Sequence, residues 1–437
     1  MPEGTVNQGI GASVRRKEDK RFLIGKGNYT DDINRVGQLH VYFLRSPVAF
    51  ADIVSIDKQK AEKASGVAAI LTGEDVAADN LGGPICGWAP TNKDGSAPSE
   101  PPHPILANGR VRYVGDHVAA VFAETLEQAM SAAELIDVTY SEMPAITDLK
   151  SAMDSPQIHD GMENNTYFDW ELGDEAATNE AFDKAATIVN VDIRNNRVIP
   201  NAMEPRAAVA DYDTGDGRYT LFTTSQNPQL TRLVIGAFML NIPESKFRVV
   251  APDVGGGFGS KIYVYPEEAV CVWASKKLGR AVKWTADRTQ AFLGDAHGRD
   301  HISEVKLALD KNNRITGLRV DTLANLGAYL SAFAMVTPTY LHGTLLSGVY
   351  DIPAIYTNVK GICTTTVNVD AYRGAGRPEA TYLLERTMDV AAKQVGMDPA
   401  EFRRLNFIPK DAFPYQTAVA LQYDCLLYTS PSPRDRG

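Results

Sequence analysis

Several short stretches of this sequence carry groups suited to chemistry. Gly255-Gly-Gly-Phe-Gly259-Ser-Lys261 places four glycines in five positions, so backbone N–H groups there can approach a ligand with no side chain in the way. The Walker phosphate loop needs Gly-Lys-Ser/Thr, which is missing, and the dinucleotide fingerprint counted from Gly255 fails at Ser260. A structural turn and a cofactor loop are both consistent with it. Arg373-Gly-Ala-Gly-Arg377 sets two guanidinium groups around a flexible loop, able to fork onto anionic oxygens or an oxo group; a solvated basic turn has the same spacing. Gln226 presents an amide donor and acceptor just before Pro228, where a plain surface role is also open. Met203-Glu204-Pro205-Arg206 predicts a local ion pair across a Pro-fixed bend. His297-Gly-Arg299-Asp300-His301 predicts a hydrogen-bonding turn, because two histidines four apart without a helical pattern are weak zinc ligands. No Ser/His/Asp set, nucleophilic cysteine motif or carboxylate pair can be assembled.

The elements that must position these loops are legible around them. Each of the three loops leads to a Pro at a predicted first helical position: Pro228, Pro266 and Pro378. After Pro378, Ala380, Leu384, Met388, Ala391 and Val395 predict one apolar helix face ending at Gly396. After Pro266, Val270, Trp273 and Leu278 predict another ending at Gly279. Helix N-termini expose unpaired N–H groups, so such loops suit an anionic group. Strands are predicted over 188–193, 208–212 and 219–223, the last two as a hairpin across 213–217. A second hairpin pairs Val305, Leu307 and Leu309 with Leu318 and Val320.

Further toward the N-terminus, Leu39–Arg45 reads as a strand. Thr125–Ile136 reads as a helix opened by a Thr-x-x-Gln capping box, with Leu126, Met130 and Ala133 inward. Residues 89–104 read as an exposed loop. The chain therefore reads as α+β, with an arm over 1–18, a first unit over 19–149, a linker over 150–174, a second unit over 175–423 and an unstructured tail over 424–437.

With 437 residues, 44% hydrophobic and 22% charged, most of the chain can fold around a real core. A net charge of −10 without a Lys/Arg block argues against nucleic acid and for a small-molecule or protein partner. No apolar run is long enough for a membrane span, and the N-terminus lacks a secretory apolar core, which predicts a cytoplasmic protein. Cys86, Cys271, Cys363 and Cys425 match no zinc, iron–sulfur or disulfide spacing and read as ordinary thiols.

Taken in order, Val14-Arg-Arg-Lys-Glu-Asp19, Gly25-Lys-Gly27, Tyr29-Thr-Asp-Asp32, Val111-Arg-Tyr-Val-Gly-Asp-His-Val118, Met203-Glu-Pro-Arg206, Thr224-Ser-Gln226, Gly255–Lys261 and Ala371–Arg377 closely resemble the molybdenum-binding large subunit of the xanthine dehydrogenase and aldehyde oxidase family. The nearest match in pattern is to bacterial large chains of the aerobic carbon monoxide dehydrogenase type. The resemblance covers roughly residues 10–420 and implies an α/β hammerhead domain followed by the first of two molybdopterin-binding domains. It implies that Gln226 hydrogen-bonds an oxygen ligand of molybdenum, and that Gly257, Phe258 and Gly259 lie against the cofactor. Arg373, Gly374 and Ala375 would face the metal, which is held by molybdopterin, in its cytosine dinucleotide form, rather than by side chains. The implied reaction is hydroxylation of an aldehyde or N-heterocycle with water as oxygen source. Electrons would leave through a small 2Fe–2S subunit and a medium FAD subunit.

Departures from the family pattern narrow the implied substrate. Carbon monoxide dehydrogenases of the copper type carry a cysteine where this chain has Gly374, and purine oxidisers carry a glutamate and a phenylalanine where it has Ile262 and Ala375. Family large subunits are roughly twice as long, and their second half supplies the proton-accepting glutamate. The segment Cys425–Gly437, with its Ser-Pro repeat, matches no family feature and reads as adapter read-through joined to a truncated gene; resequencing should replace it with a continuing domain. The expectation is a catalytic subunit represented by its N-terminal half, inactive alone. The alternative is a short, inactive partner-binding or cofactor-insertion protein.

Overall fold

The computed structural model describes residue 12 and residues 14–424; most of the N-terminal arm and the tail from Cys425 lie outside them. The chain is α+β throughout, as its pattern predicts. In the N-terminal part, β1 (Leu39–Arg45), β2 (Ala51–Asp57), β3 (Val67–Thr72), β4 (Arg110–Val111), β5 (His117–Ala123) and β6 (Asp137–Glu142) surround the helix α1 (Leu126–Ala133). Strands β4, β2 and β6 form a small antiparallel sheet. The capping box of α1 is present, with the Gln128 N–H donating to Thr125 Oγ1 and the Thr125 N–H to Gln128 Oε1. Its buried face differs from the predicted one. Ala129, Ala132 and Ala133 pack inward while Met130 is 40% exposed, because small side chains let the helix lie close to β1 and β5.

The C-terminal part contributes β7 (Thr166–Gly173), β8 (Thr187–Asn195), β9 (Ala207–Asp213), β10 (Arg218–Thr223), β11 (Phe247–Val250), β12 (Val282–Thr285), β13 (His301–Leu309), β14 (Ile315–Gly327) and β15 (Ile355–Cys363). Its helices include α2 (Pro228–Leu233), α3 (Pro266–Lys277) and α4 (Arg377–Gln394). Both predicted hairpins form: Arg218 pairs Asp213 at the β9–β10 turn, and Leu307 pairs Leu318 across β13–β14. One sheet runs β7-β15-β14-β13-β8, with α4 laid against it through Ala380, Leu383, Leu384, Met388 and Ala391. The expected linker is corrected here. Residues 166–173 of it are β7, which pairs antiparallel to β15 and buries Tyr167, Phe168 and Trp170, while its alternating polar residues face outward.

The two units share a sheet. The larger sheet, β11-β10-β9-β12-β1-β5-β3, takes strands from both, joined where β1 runs parallel to β12 with Leu39 opposite Val282. Helix α3 packs on this sheet and is buried along its first ten residues, not on one face only. Val270, Cys271 and Val272 meet Leu39, Val41 and Phe43 of β1 in one cluster. Each such fully buried aliphatic or aromatic side chain contributes about 1.5–3 kcal/mol. The three described cysteines are buried free thiols, and burial pushes Cys86 up to about 11 and Cys363 to about 12.

Candidate functional site

The fold brings the three loops together at one place. Strand β10 ends at Thr223 and the chain turns through Ser225 and Gln226 to Asn227, whose side chain caps α2 by accepting from the Leu230 N–H. The Gln226 N–H donates to the Lys261 carbonyl at 2.7 Å. Its side-chain Oε1 accepts from the Gly259 N–H at 3.0 Å, which leaves the Nε2 donors without a protein acceptor among the described residues. On the other side the Arg373 N–H donates to the Phe258 carbonyl at 2.8 Å. The glycine-rich loop is thus sewn between the other two, by two hydrogen bonds to Gln226 and one to Arg373.

Two glycines are required by this closeness. A Cβ at Gly257 would lie 2.2 Å from Gln226 Oε1, and one at Gly259, where φ is +111°, would lie 2.3 Å from the Ala371 carbonyl oxygen. Phe258 and Ala375 adopt φ of 53° and 33°, a region that costs a side-chain-bearing residue about 1–3 kcal/mol and concentrates at functional sites. Gln226, Phe258, Arg373 and Gly374 are exposed on the same loops, and the Arg373 guanidinium has no acceptor among the described residues. Gly374 and Ala375 do not reach Gln226 directly. They turn away toward Pro378 and the buried cluster of Tyr263 and Ala371, and Arg377 folds back onto the Gly374 carbonyl.

The expected ion pair across Pro205 does not form. Glu204 and Arg206 each bond a partner far along the chain instead. Glu204 accepts from Lys261 Nζ at 2.9 Å and from the Gly255 N–H at 2.7 Å, tying both ends of the glycine-rich loop to one carboxylate. Burial lowers the Lys261 ammonium although Glu204 opposes the shift. Arg206 donates to Glu267 and to Asp295, and its guanidinium lies 3.6 Å from the Tyr265 ring centroid. Glu267 also receives Arg45 at 2.7 Å and His117 at 3.0 Å. Burial alone would raise Glu267, but Arg206, His117 and Arg45 hold its carboxyl well below the usual range. Glu267, Asp295 and Arg45 carry no local signal in the sequence, since their partners stand tens to hundreds of positions away. The turn expected over the histidine segment is corrected: His297 and Gly298 bridge to Val369 and Val198, His301 opens β13, and Asp300 accepts from Arg197 and from Asn325, so the segment is held by distant partners rather than closed on itself.

Residues 158–407 match the family described as the molybdopterin cofactor-binding domain, and residues 24–144 match the a/b hammerhead domain of aldehyde oxidase and xanthine dehydrogenase. The chain belongs to the family of molybdenum-binding large subunits of the xanthine dehydrogenase and aldehyde oxidase type. Among relatives of that family, the carbon monoxide dehydrogenase large chain of Hydrogenophaga pseudoflava is 38% identical over 427 residues, covering 93% of this chain and 51% of the relative. The reconstituted CO dehydrogenase from Oligotropha carboxidovorans superposes with a TM-score of 0.90 at 33% identity, over 97% of this chain and 53% of that one. Quinoline 2-oxidoreductase from Pseudomonas putida 86 superposes with a TM-score of 0.88 at 35% identity, over 94% and 52%. The chain therefore spans about half the length of these relatives. Within this molybdopterin oxidoreductase family, all three converging loops fall inside the cofactor-binding match. No helix among the described residues is long and apolar enough to cross a membrane.

Proposed function

We propose that this chain supplies the N-terminal half of a molybdenum hydroxylase large subunit and that Gln226, Gly257, Phe258, Gly259, Arg373, Gly374 and Ala375 form its side of the molybdopterin site. The observation that carries this reading is the cradle itself. Two glycines whose Cβ positions are already occupied, an exposed carboxamide with free N–H groups and an exposed, unpaired guanidinium stand on three loops joined by direct hydrogen bonds. That donor set fits an oxygen-bearing anionic group, because neutral and cationic donors stabilise developing negative charge without adding a competing base. When bound, the molybdenum–molybdopterin group would supply two-electron oxidation with water as the oxygen source.

The roles of the chain's own residues follow from their placement. Gln226, its Oε1 engaged by Gly259, keeps Nε2 to donate to an oxygen ligand. Arg373 orients anionic oxygens or the substrate, and Phe258 supplies an apolar wall at 41% exposure. We place the proton-accepting glutamate in the C-terminal half of the complete subunit, so that this chain is inactive alone. Electron transfer is assigned to 2Fe–2S and FAD subunits in a cytoplasmic complex, and the cofactor to the cytosine dinucleotide form. Gly374, where copper-dependent enzymes hold a cysteine, argues against CO as substrate. Ile262 and Ala375 argue against purines and leave room for an aldehyde or an aromatic N-heterocycle.

The test has two stages. The purified chain, alone and joined to the C-terminal half of a close relative, is assayed for molybdenum and pterin. Cofactor is expected in the joined subunit and is expected to be lost in Gly259→Val; a joined, folded subunit devoid of molybdenum would sink the assignment. The assembled complex is then offered aldehydes, N-heterocycles, xanthine and CO, and dominant CO turnover would overturn the substrate reading.

A further inference from the structure

Arg299 lies beneath the loop that carries Arg373, on the side away from solvent. It comes from the segment just before β13, is 8% exposed, and adopts φ of 68°, a left-handed conformation that arginine rarely takes. Its guanidinium makes three hydrogen bonds. Nη1 donates to the Tyr372 carbonyl and to Glu379 Oε1, each at 3.1 Å, and Nη2 donates to the Arg373 carbonyl at 2.9 Å. Glu379 is 2% exposed in the first turn of α4, so the loop between Tyr372 and α4 is gripped from both ends by one buried ion pair. The guanidinium also stacks over the Tyr372 ring at 4.8 Å from its centroid.

We infer that Arg299, held by Glu379, is the positioning residue that sets the backbone of the Arg373 loop. In a trans peptide the C=O of one residue and the N–H of the next point in opposite directions. Holding the Tyr372 carbonyl inward turns the Arg373 N–H the other way, where it meets the Phe258 carbonyl at 2.8 Å. Holding the Arg373 carbonyl inward turns the Gly374 N–H outward by the same rule. Gly374 is exposed and its N–H has no acceptor among the described residues. One buried guanidinium thus closes the contact between two loops and presents a backbone donor beside the Arg373 side chain, suited to an anionic or oxo oxygen. The inference rests on the cofactor reading only for what the donor meets, and not for the orientation of the loop.

Two variants test it. Arg299→Lys keeps a charge beside Glu379 but cannot fork onto two carbonyls. Arg299→Met/Glu379→Leu removes both buried charges together, so that neither is left unpaired. Amide hydrogen exchange across residues 371–376 is read in the joined subunit, with the β13–β14 amides as internal reference, and the molybdenum-to-protein ratio is measured on the same samples. Exchange in 371–376 is expected to rise about tenfold, the equivalent of losing one hydrogen bond to a charged group, while β13–β14 stays unchanged and molybdenum content falls. Raised exchange in a subunit that never held molybdenum would keep the positioning role and remove the cofactor reading. Unchanged exchange in both folded variants would overturn the positioning role whatever the metal content.

Discussion

Glu267 is the side chain on which the support beneath the site converges. It is fully buried and receives Arg206, Arg45 and His117, of which the two guanidinium groups carry the balancing charge. Glu267→Gln keeps the shape and removes the charge. It should destabilise the fold by about 3–5 kcal/mol, the usual cost of stranding a buried partner, seen as a lower urea midpoint with unchanged slope. A loss under roughly 1 kcal/mol would mean that Asp295 alone balances Arg206. The same residues show what the sequence could and could not reveal. Gln226, Phe258, Gly259 and Arg373 were legible because glycine density and Pro-started helices are local signals, and the structure joins them by direct hydrogen bonds. The Glu204–Arg206 pairing was misjudged for the converse reason. Adjacent opposite charges suggest a pair, yet buried charges choose the partners that the tertiary fold delivers, here Lys261 for one and Glu267 with Asp295 for the other.

Among the elements, features set by short-range rules matched their prediction, and the N-terminal cap of α1 is the clearest case. Its capping box is complete, and Thr125→Ala should cost about 1 kcal/mol by leaving the Gln128 N–H uncapped. Met130→Ala on the same helix should change stability by no more than about 0.5 kcal/mol, because that side chain faces solvent rather than β1 and β5. Urea midpoints of the two variants check both, and a larger loss for Met130→Ala would restore the inward face that spacing alone suggested. The hairpins β9–β10 and β13–β14 were equally legible, since each turn lies between its two strands. The parallel pairing of β1 with β12 was not, because Leu39 and Val282 stand far apart in sequence and neither strand carries a mark of its neighbour. Helix α3 misled for a related reason. A helix sandwiched on a sheet and covered on its other side buries every face, so its apolar stripe is only part of the buried surface.

At the scale of the whole molecule, the interior holds histidines that folding keeps neutral. His103 stacks on Tyr329 with centroids 4.0 Å apart, and neither of its ring nitrogens has a partner among the described residues. His301 and His342 meet edge to face at 5.6 Å within the other sheet's half of the core. Burial lowers all three, compounded by His117 at His103 and by His301 at His342, so that they titrate near about 3, 4 and 3 for His103, His301 and His342. Their unfolded values lie near about 6.5, so below that pH the unfolded chain binds protons that the folded chain refuses. A depressed folded value contributes stability that is fully present above the unfolded one and lost as pH falls toward the folded one. Each such group lowers stability by up to about 1.4 kcal/mol per pH unit once the pH is well below about 6.5; His159 and His297, lowered to about 4 by burial, act in the same direction, while Asp116 and Asp370, raised by burial to about 6 and about 7, bind protons in the folded chain and offset part of the loss. Urea midpoints measured from about pH 7.5 down to pH 5 should therefore drop below about pH 6.5. His103→Phe keeps the stacked ring and removes one titrating group, so its profile should be shallower by about one proton's worth. A midpoint that stays level across this range, or a His103→Phe profile as steep as the parent's, would show that the buried rings gain protons in place and that the core relaxes to accept the charge.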